Sequence, residues 1–431
     1  MPNKYKAISL FTGGMGLDLG LEKAGISAKV AVEIDLPSVQ TIKSNRPDIS
    51  VISDSIADVS GRGLLRKGGL RKGEVDVVAG GPPCQSFSVY GNREGAIDPR
   101  GQMVFEFVRM VRETMPLVFI MENVRGLHSM PFVPEKFSES VDEYSSWMSE
   151  SGSLLRSLVS DFNEAGYRVD SFLVNSVNYG APQIRERLLL VGNRFDVQAK
   201  FPAPQFSNRI EDALPPFATL RDAIGDDFID PDPSMMNFSP RKLKYLAMVP
   251  PGGNWRSLPI EIQKESMGKS WYLKGGRSAT WRRLSWDFPS PTVVTMPNHA
   301  STSMCHPDEV RALTVGECAA IQEFPAAWKL CGKTAERYKQ IGNAVPVRLG
   351  SVVGRVAAKV LSEIRSRYAK TKRKIVPPTT DLEVVHLRPH VRTKQYFKDG
   401  VAFSGDSNYY AKPEYKQLSL LGDSAVDSLE D

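Results

Sequence analysis

Residues 5–193 alternate short apolar runs with helical patterning, and this alternation limits the fold more than any other feature of the chain. Runs at 6–11, 29–34, 49–53, 75–79 and 117–121 read as strands, and 169–175 and 187–192 as two more. Helical periodicity falls between them, at 17–24 and most strongly at 103–115, where Pro116 stops it. Strands alternating with helices predict a parallel, doubly wound α/β sheet. In such a sheet, ligands bind at the carboxyl ends of the strands.

The pattern changes after Asn193. Residues 195–300 are rich in Pro, Gly, Trp and Arg and weakly periodic, and they predict a second, less regular domain. An acidic stretch at 222–232 gives way to a basic one that includes Arg241, Lys242, Lys244, Arg282 and Arg283, interleaved with Trp255, Trp271, Tyr272, Trp281 and Trp286. Such aromatics are more often core than base-stacking groups. Helical pattern returns at 314–322 and 347–368, and the tail after Lys370 reads as a loosely packed or partly disordered extension.

The carboxyl ends of the predicted strands carry the chemistry. The first strand runs into FTGGMGLDLG, where Phe11, Gly13, Gly14 and Gly16 form a strand-to-helix turn that lets backbone approach a ligand. Glu33 ends the second strand, at the offset where an acid commonly accepts hydrogen bonds from ribose hydroxyls. The spacing is not GxGxxG, which favours an adenosine cofactor other than a dinucleotide. Asp54, after the third strand, is a candidate for the adenine amino group or a helix N-cap. The fourth strand leads into VAGGPPCQSFS, where Pro82 and Pro83 fix the backbone before Cys84. That thiol is either a nucleophile or a small buried hydrophobe. Glu122, in FIMENVRG, ends the fifth strand and faces the same crevice, or caps the turn beyond Asn123.

Cysteines are few (4), none in a CxxC pair, which fits a reducing compartment. The net charge of +6 permits a polyanionic partner without requiring one. No apolar run suits a membrane span, no secretory signal opens the chain, and the cysteine spacing lacks the paired ligands of a zinc site.

In their order, these motifs resemble the DNA (cytosine-5)-methyltransferases, bacterial type II modification enzymes in particular. FTGGMGLDLG is similar to the family's S-adenosylmethionine motif, GGPPCQSFS to its nucleophile motif, and MENVRG to its Glu-Asn-Val motif. PQIRERLLLVG carries a Gln-x-Arg-x-Arg pattern as Gln183, Arg185 and Arg187; RALTVGECAAIQEFP and YKQIGNAVP resemble the two closing motifs. Met15 departs from the pattern, standing where Gly is common; Gly14 beside it is the candidate to compensate.

The resemblance implies a Rossmann-like S-adenosylmethionine-dependent sheet with a smaller target-recognition domain. Residues 1–194 and 326–370 would form the catalytic part, 195–325 the small domain with its recognition region at about 195–300, and 371–431 an extension. It implies transfer of a methyl group from S-adenosyl-L-methionine to C5 of a cytosine flipped out of double-stranded DNA, with no metal. Cys84 would add to C6, Glu122 would hold N3 and the amino group, and Arg187 the C2 carbonyl, with Arg185 close by. Phe11, Gly13, Gly14, Gly16, Glu33, Asp54, Pro83 and Asn343 would bind the cofactor. Residues 85–101 would close over the DNA. The expected setting is a monomer in the bacterial cytoplasm, away from membranes, paired in function with a restriction endonuclease.

Overall fold

The strands form where the apolar runs predict them. The computed structural model describes residues 4–83, 102–132, 147–272, 279–368, 382–387, 395–398 and 401–404. Cys84 and residues 85–101 lie outside these. The chain divides into two units. The first comprises Met1–Asn175, Glu186–Ala203 and Val347–Arg388; the second comprises Ser176–Arg185, Pro204–Pro346 and Pro389–Asp431.

In the first unit, β1 (Tyr5–Leu10), β2 (Ile26–Val32), β3 (Ser50–Ile52), β4 (Val77–Gly80) and β5 (Val118–Val124) pair in parallel. β6 (Arg168–Asn175) and β7 (Glu186–Asn193) extend the sheet, and among the described residues its order is β3-β2-β1-β4-β5-β7-β6, with a further strand at the β6 edge. The expectation of a parallel sheet fails at β7, which runs antiparallel to both β5 and β6. The short connection from β6 to β7, residues 176–185, is a return and not a helical crossover, so the two strands must oppose. This pairing also carries β5 past the predicted end. Glu122 faces Leu189 and Val124 faces Arg187, so Glu122 lies within the strand.

Helices α1 (Gly16–Lys23), α2 (Leu36–Asn45), α3 (Gly61–Lys67), α4 (Met103–Thr114) and α5 (Ser153–Glu164) follow in chain order. The core between sheet and helices holds Phe107, Phe119 and Phe162, the last two stacked at 4.1 Å between centroids. Gly192 on β7 sits opposite Phe119, and a Cβ there would lie 2.0 Å from its ring. The long helix that closes this unit, Val347–Tyr368, packs backbone to backbone on α1: a Cβ on Gly20 would meet the carbonyl carbon of Gly350 at 2.4 Å. Glycine in FTGGMGLDLG therefore serves packing as well as the turn.

One described segment of the tail joins the sheet. Residues Val384–Leu387 form the edge strand, parallel to β6, with Leu382 and Val384 against the core.

The second unit holds α6 (Leu220–Ile224), α7 (Pro240–Met248), α8 (Ile260–Met267), α9 (Val315–Ile321) and α10 (Thr334–Asn343). Its Trp residues are mostly core, as expected: Trp281 is buried beside Tyr245 and Leu246, and Trp255, Trp271 and Trp286 pack against the same kinds of cluster. Many of its charged groups are internal ties. Arg283 donates to the carbonyls of Val249, His306 and Asp308. Asp230 accepts from the Thr314 hydroxyl at 2.6 Å, and Asp232 pairs with Arg337. Burial pushes the Cys305 thiol up to about 11, so it behaves as a small apolar side chain.

Candidate active site

The strand-to-helix turn after β1 takes a tight path. Phe11, Gly13 and Met15 all have positive φ, at 54°, 55° and 71°. Gly14 does not take the left-handed conformation; Met15 bears it, at a cost of roughly 1–2 kcal/mol. Its side chain is fully buried, and that burial offsets the strain. The departure from glycine leaves the turn intact.

Glu33 anchors this turn. Its carboxylate accepts the Gly13 N–H at 2.6 Å and the Asp35 N–H at 2.8 Å. The Ile34 N–H is a third donor, so of the four acceptor positions of the carboxylate one is left open. Burial raises the pKa of Glu33, and the backbone N–H donors of Asp35, Gly13 and Ile34 counter part of that rise. Beside it, Ile34 and Leu36 are each 65% exposed, large apolar side chains left open next to a hydrogen-bonding acid. Sequence reasoning passed over them; the signal was an apolar residue on each side of Asp35 directly after the strand. Asp54 is exposed, and the helix after β3 is capped by Ser55, which removes the capping role for Asp54.

The second cluster lies at β4, β5 and β7. Arg187 Nε stands 2.5 Å from Glu122 Oε1, with both side chains about 10% exposed, an ion pair of close approach rather than an aligned hydrogen bond. Arg187 also donates to the Glu186 carbonyl at 2.7 Å, while Glu186 pairs with Arg125 at 3.0 Å. Gly81 is shaped by this carboxylate: a Cβ there would lie 2.7 Å from Glu122 Oε2. Gly80, before it, packs on the Leu10 carbonyl, where a Cβ would come within 2.4 Å. The two glycines of GGPPC thus have separate tasks, one for the sheet and one for Glu122. Asn123 adds a tie: its Nδ2 donates to the Pro82 carbonyl at 3.3 Å, and its Oδ1 accepts from the Val124 N–H at 2.9 Å. Gly81 and Asn123 were not among the predicted site residues, although both stand inside the quoted motifs.

Gln183, Arg185 and Arg187 part company. Gln183 and Arg185 belong to the second unit and are fully buried there. Gln183 bonds Gln322 at 3.0 Å and the Val293 N–H at 2.9 Å. Arg185 donates to the Val293 carbonyl at 3.0 Å and the Gly342 carbonyl at 2.8 Å. Arg185 is thus a frame residue of its unit, and Arg187 alone of the pair joins Glu122. Asn343 is exposed at the end of α10, in the second unit, and Pro83 is exposed in the first. Cys84 lies outside the described residues.

The profile of the C-5 cytosine-specific DNA methylase family matches residues 5–359. The chain belongs to that family. It is a DNA cytosine-5 methyltransferase, and its relatives are type II methyltransferases. The type II methyltransferase M.Eco47II of Escherichia coli is 38% identical over 372 residues, 85% of this chain and 81% of that one. M.Sau96I of Staphylococcus aureus is 36% identical over 361 residues, 83% of this chain and 77% of that one. A prophage-encoded E. coli protein, described as a DNA modification methyltransferase, shares the fold with a TM-score of 0.56 at 23% identity, over 83% of this chain and all of that one. Among the described residues, no helix is long and apolar enough to cross a membrane.

Proposed function

We propose that this methyltransferase transfers a methyl group from S-adenosyl-L-methionine to C5 of a cytosine flipped out of a specific double-stranded DNA sequence, through a covalent bond from Cys84 to C6. The observation that carries this reading is Glu122, held by Arg187 against the backbone of Gly81 three residues before Cys84.

Cytosine C5 is a weak nucleophile. Addition of the Cys84 thiolate to C6 turns the ring into an enamine and sends charge to N3. Glu122 takes up a proton as the base enters, hydrogen-bonds N3 with that O–H and the exocyclic amino group with its other oxygen, gives N3 the proton as the charge arrives, and recovers it when the thiolate leaves. Arg187 fixes the carboxyl and offers its remaining N–H groups to the C2 carbonyl. Asn123 holds the Pro82 carbonyl, which sets the backbone that delivers Cys84. After C5 has been methylated, a base removes the C5 proton, the bond to C6 breaks, and the thiolate is restored. A stacked duplex covers both faces of the ring, from which C6 and C5 must be approached, so the target base must leave the stack.

The cofactor supplies an electrophilic methyl group when bound. The turn fits an adenosine ligand: Glu33 keeps an acceptor position for a ribose hydroxyl, and Ile34 and Leu36 offer exposed apolar surface for a base. Phe11, Gly13, Gly14 and Gly16 line the turn, Asp54 is exposed for the adenine amino group, and Pro83 is exposed in the same unit. The enzyme acts as a monomer in the bacterial cytoplasm, protecting sites that a partner restriction endonuclease would cut.

Bisulfite sequencing of plasmid DNA from cells expressing the protein tests this directly. Methylcytosine in one fixed sequence context is the expected result. Unmethylated DNA, or methylation without a context, contradicts the reading.

A further inference from the structure

We propose that His299, on the loop that follows Met296 in the second unit, reads a guanine in the major groove of the target DNA; this rests on the DNA-methylating function proposed above. The loop is braced from several sides. Lys242 on α7 donates to the Asn298 carbonyl at 2.6 Å, and Asn298 Nδ2 donates to the Asn237 carbonyl at 3.1 Å. The Met304 N–H bonds the Pro297 carbonyl at 2.9 Å, and the Ser303 hydroxyl bonds the His299 carbonyl at 3.2 Å. Bracing of this kind keeps a recognition side chain ordered before the ligand arrives, which lowers the entropic cost of binding.

The imidazole is oriented as well as exposed. Its Nδ1 accepts the Ser301 backbone N–H at 3.4 Å and lies 2.8 Å from the Ser301 hydroxyl. A backbone N–H can only donate, so Nδ1 is the acceptor and the neutral ring carries its proton on Nε2. The loop therefore presents one fixed N–H donor outward, with Met296, 49% exposed, as apolar surface beside it. Guanine offers such a donor two adjacent acceptors, N7 and O6, where adenine sets an amino donor beside its N7, thymine has O4 alone beside its methyl group, and cytosine presents a donor.

The surroundings suit a nucleic acid. Arg241 and Lys242 stand together at the start of α7; Lys242 supports the loop, and Arg241 is exposed. Arg241 is the phosphate contact that positions the backbone, and His299 is the group that carries sequence information. Asn298 Oδ1 is buried without a hydrogen-bond partner among the described residues.

The test is methylation of a duplex library randomised around the target cytosine, read by bisulfite sequencing, with the full-length wild type and the variants His299→Ala, His299→Gln and Arg241→Gln. His299→Ala should lose preference at one base pair by about fivefold, the lower end of the range for a two-bond base contact, since His299 offers one N–H. His299→Gln, which keeps a donor, should retain part of that preference. Arg241→Gln should weaken binding at all sequences alike and reduce the salt dependence by about one phosphate contact. An active His299→Ala with the wild-type sequence profile overturns the proposal and leaves the methylation reading standing. A wild type that methylates no duplex overturns the methylation reading, and the proposal with it. If His299→Ala does not fold, the His299→Gln profile decides: an unaltered preference at every position together with an unaltered rate overturns the proposal.

Discussion

Arg187 Nε lies 2.5 Å from Glu122 Oε1, across adjacent antiparallel strands and with both side chains about 10% exposed. Two buried charges are tolerated here because each is the other's partner. Removing one leaves the other alone in a poorly solvated place, which typically costs about 3–5 kcal/mol. Arg187→Ala should therefore lower both stability and turnover. Glu122→Gln keeps the shape and removes the acid, so it should slow turnover by about 100-fold or more while cofactor binding is kept. Single-turnover kinetics and a thermal melt of both variants check this; a Glu122→Gln enzyme with normal turnover removes the assigned role.

Gly81→Ala tests placement apart from chemistry. A methyl group there must displace a carboxylate that is already fixed by Arg187. The expected result is at least about a tenfold loss of kcat, since small misplacements of catalytic groups cost about that or more, with a modest change in Tm. Asn123→Ala should act in the same direction and cost about 1–3 kcal/mol, because it leaves the buried Pro82 carbonyl and Val124 N–H without their partner. A melt and a rate for each variant decide; unchanged kcat in both shows that the segment before Cys84 is held by other means.

Met15→Gly separates strain from burial. Glycine would relieve the left-handed φ of 71°, a gain of roughly 1–2 kcal/mol, but would empty a fully buried site, a loss of about 2–5 kcal/mol. The net expectation is a lower Tm. A rise in Tm would mean that packing does not hold this turn.

The sequence alone located the strands, the Gly-rich turn, Glu33 and Glu122, because each is encoded locally: apolar period, glycine and an acid at a strand end. Three features escaped it because they depend on which strands are neighbours. The antiparallel course of β7 sets Arg187 against Glu122 and keeps Glu122 inside β5. The need for Gly81 exists only once Glu122 is in place. Arg185 and Arg187, two residues apart, serve different units, which spacing cannot tell. The Met15 conformation was hidden for another reason: the residue usually suited to a left-handed turn is glycine, and burial overrides that preference. The tail strand Val384–Leu387 has a short apolar run with little periodicity, and only pairing with β6 defines it.

Asp18, in the first turn of α1, gives a pH dependence with a definite sign. Burial raises its pKa from 3.8 to about 7, with the Ser9 hydrogen bond opposing the rise and Glu22 adding to it. The folded protein holds this proton up to about pH 7, while the unfolded chain releases it near 3.8. Folding takes up a proton between those values, so this group's contribution is greatest below about pH 4 and is lost as pH rises towards 7. Asp18→Asn should gain stability over the wild type from pH 5 to pH 8, by a few kcal/mol at most, on the order of 1.4 kcal/mol per pKa unit. Parallel melting curves for the two proteins across that range would contradict it.

The central claim is the covalent step at Cys84, and a duplex carrying 5-fluorocytosine at the target position tests it most directly. Fluorine in place of the C5 proton leaves nothing for a base to remove, so the thiolate cannot depart once C5 has been methylated. With S-adenosyl-L-methionine present, the wild type should form a protein–DNA adduct that survives denaturing electrophoresis, and peptide mapping should place it at Cys84. Cys84→Ser should bind the duplex and form none. An adduct of equal yield in Cys84→Ser, or methylation of ordinary DNA by that variant at the wild-type rate, would contradict the account.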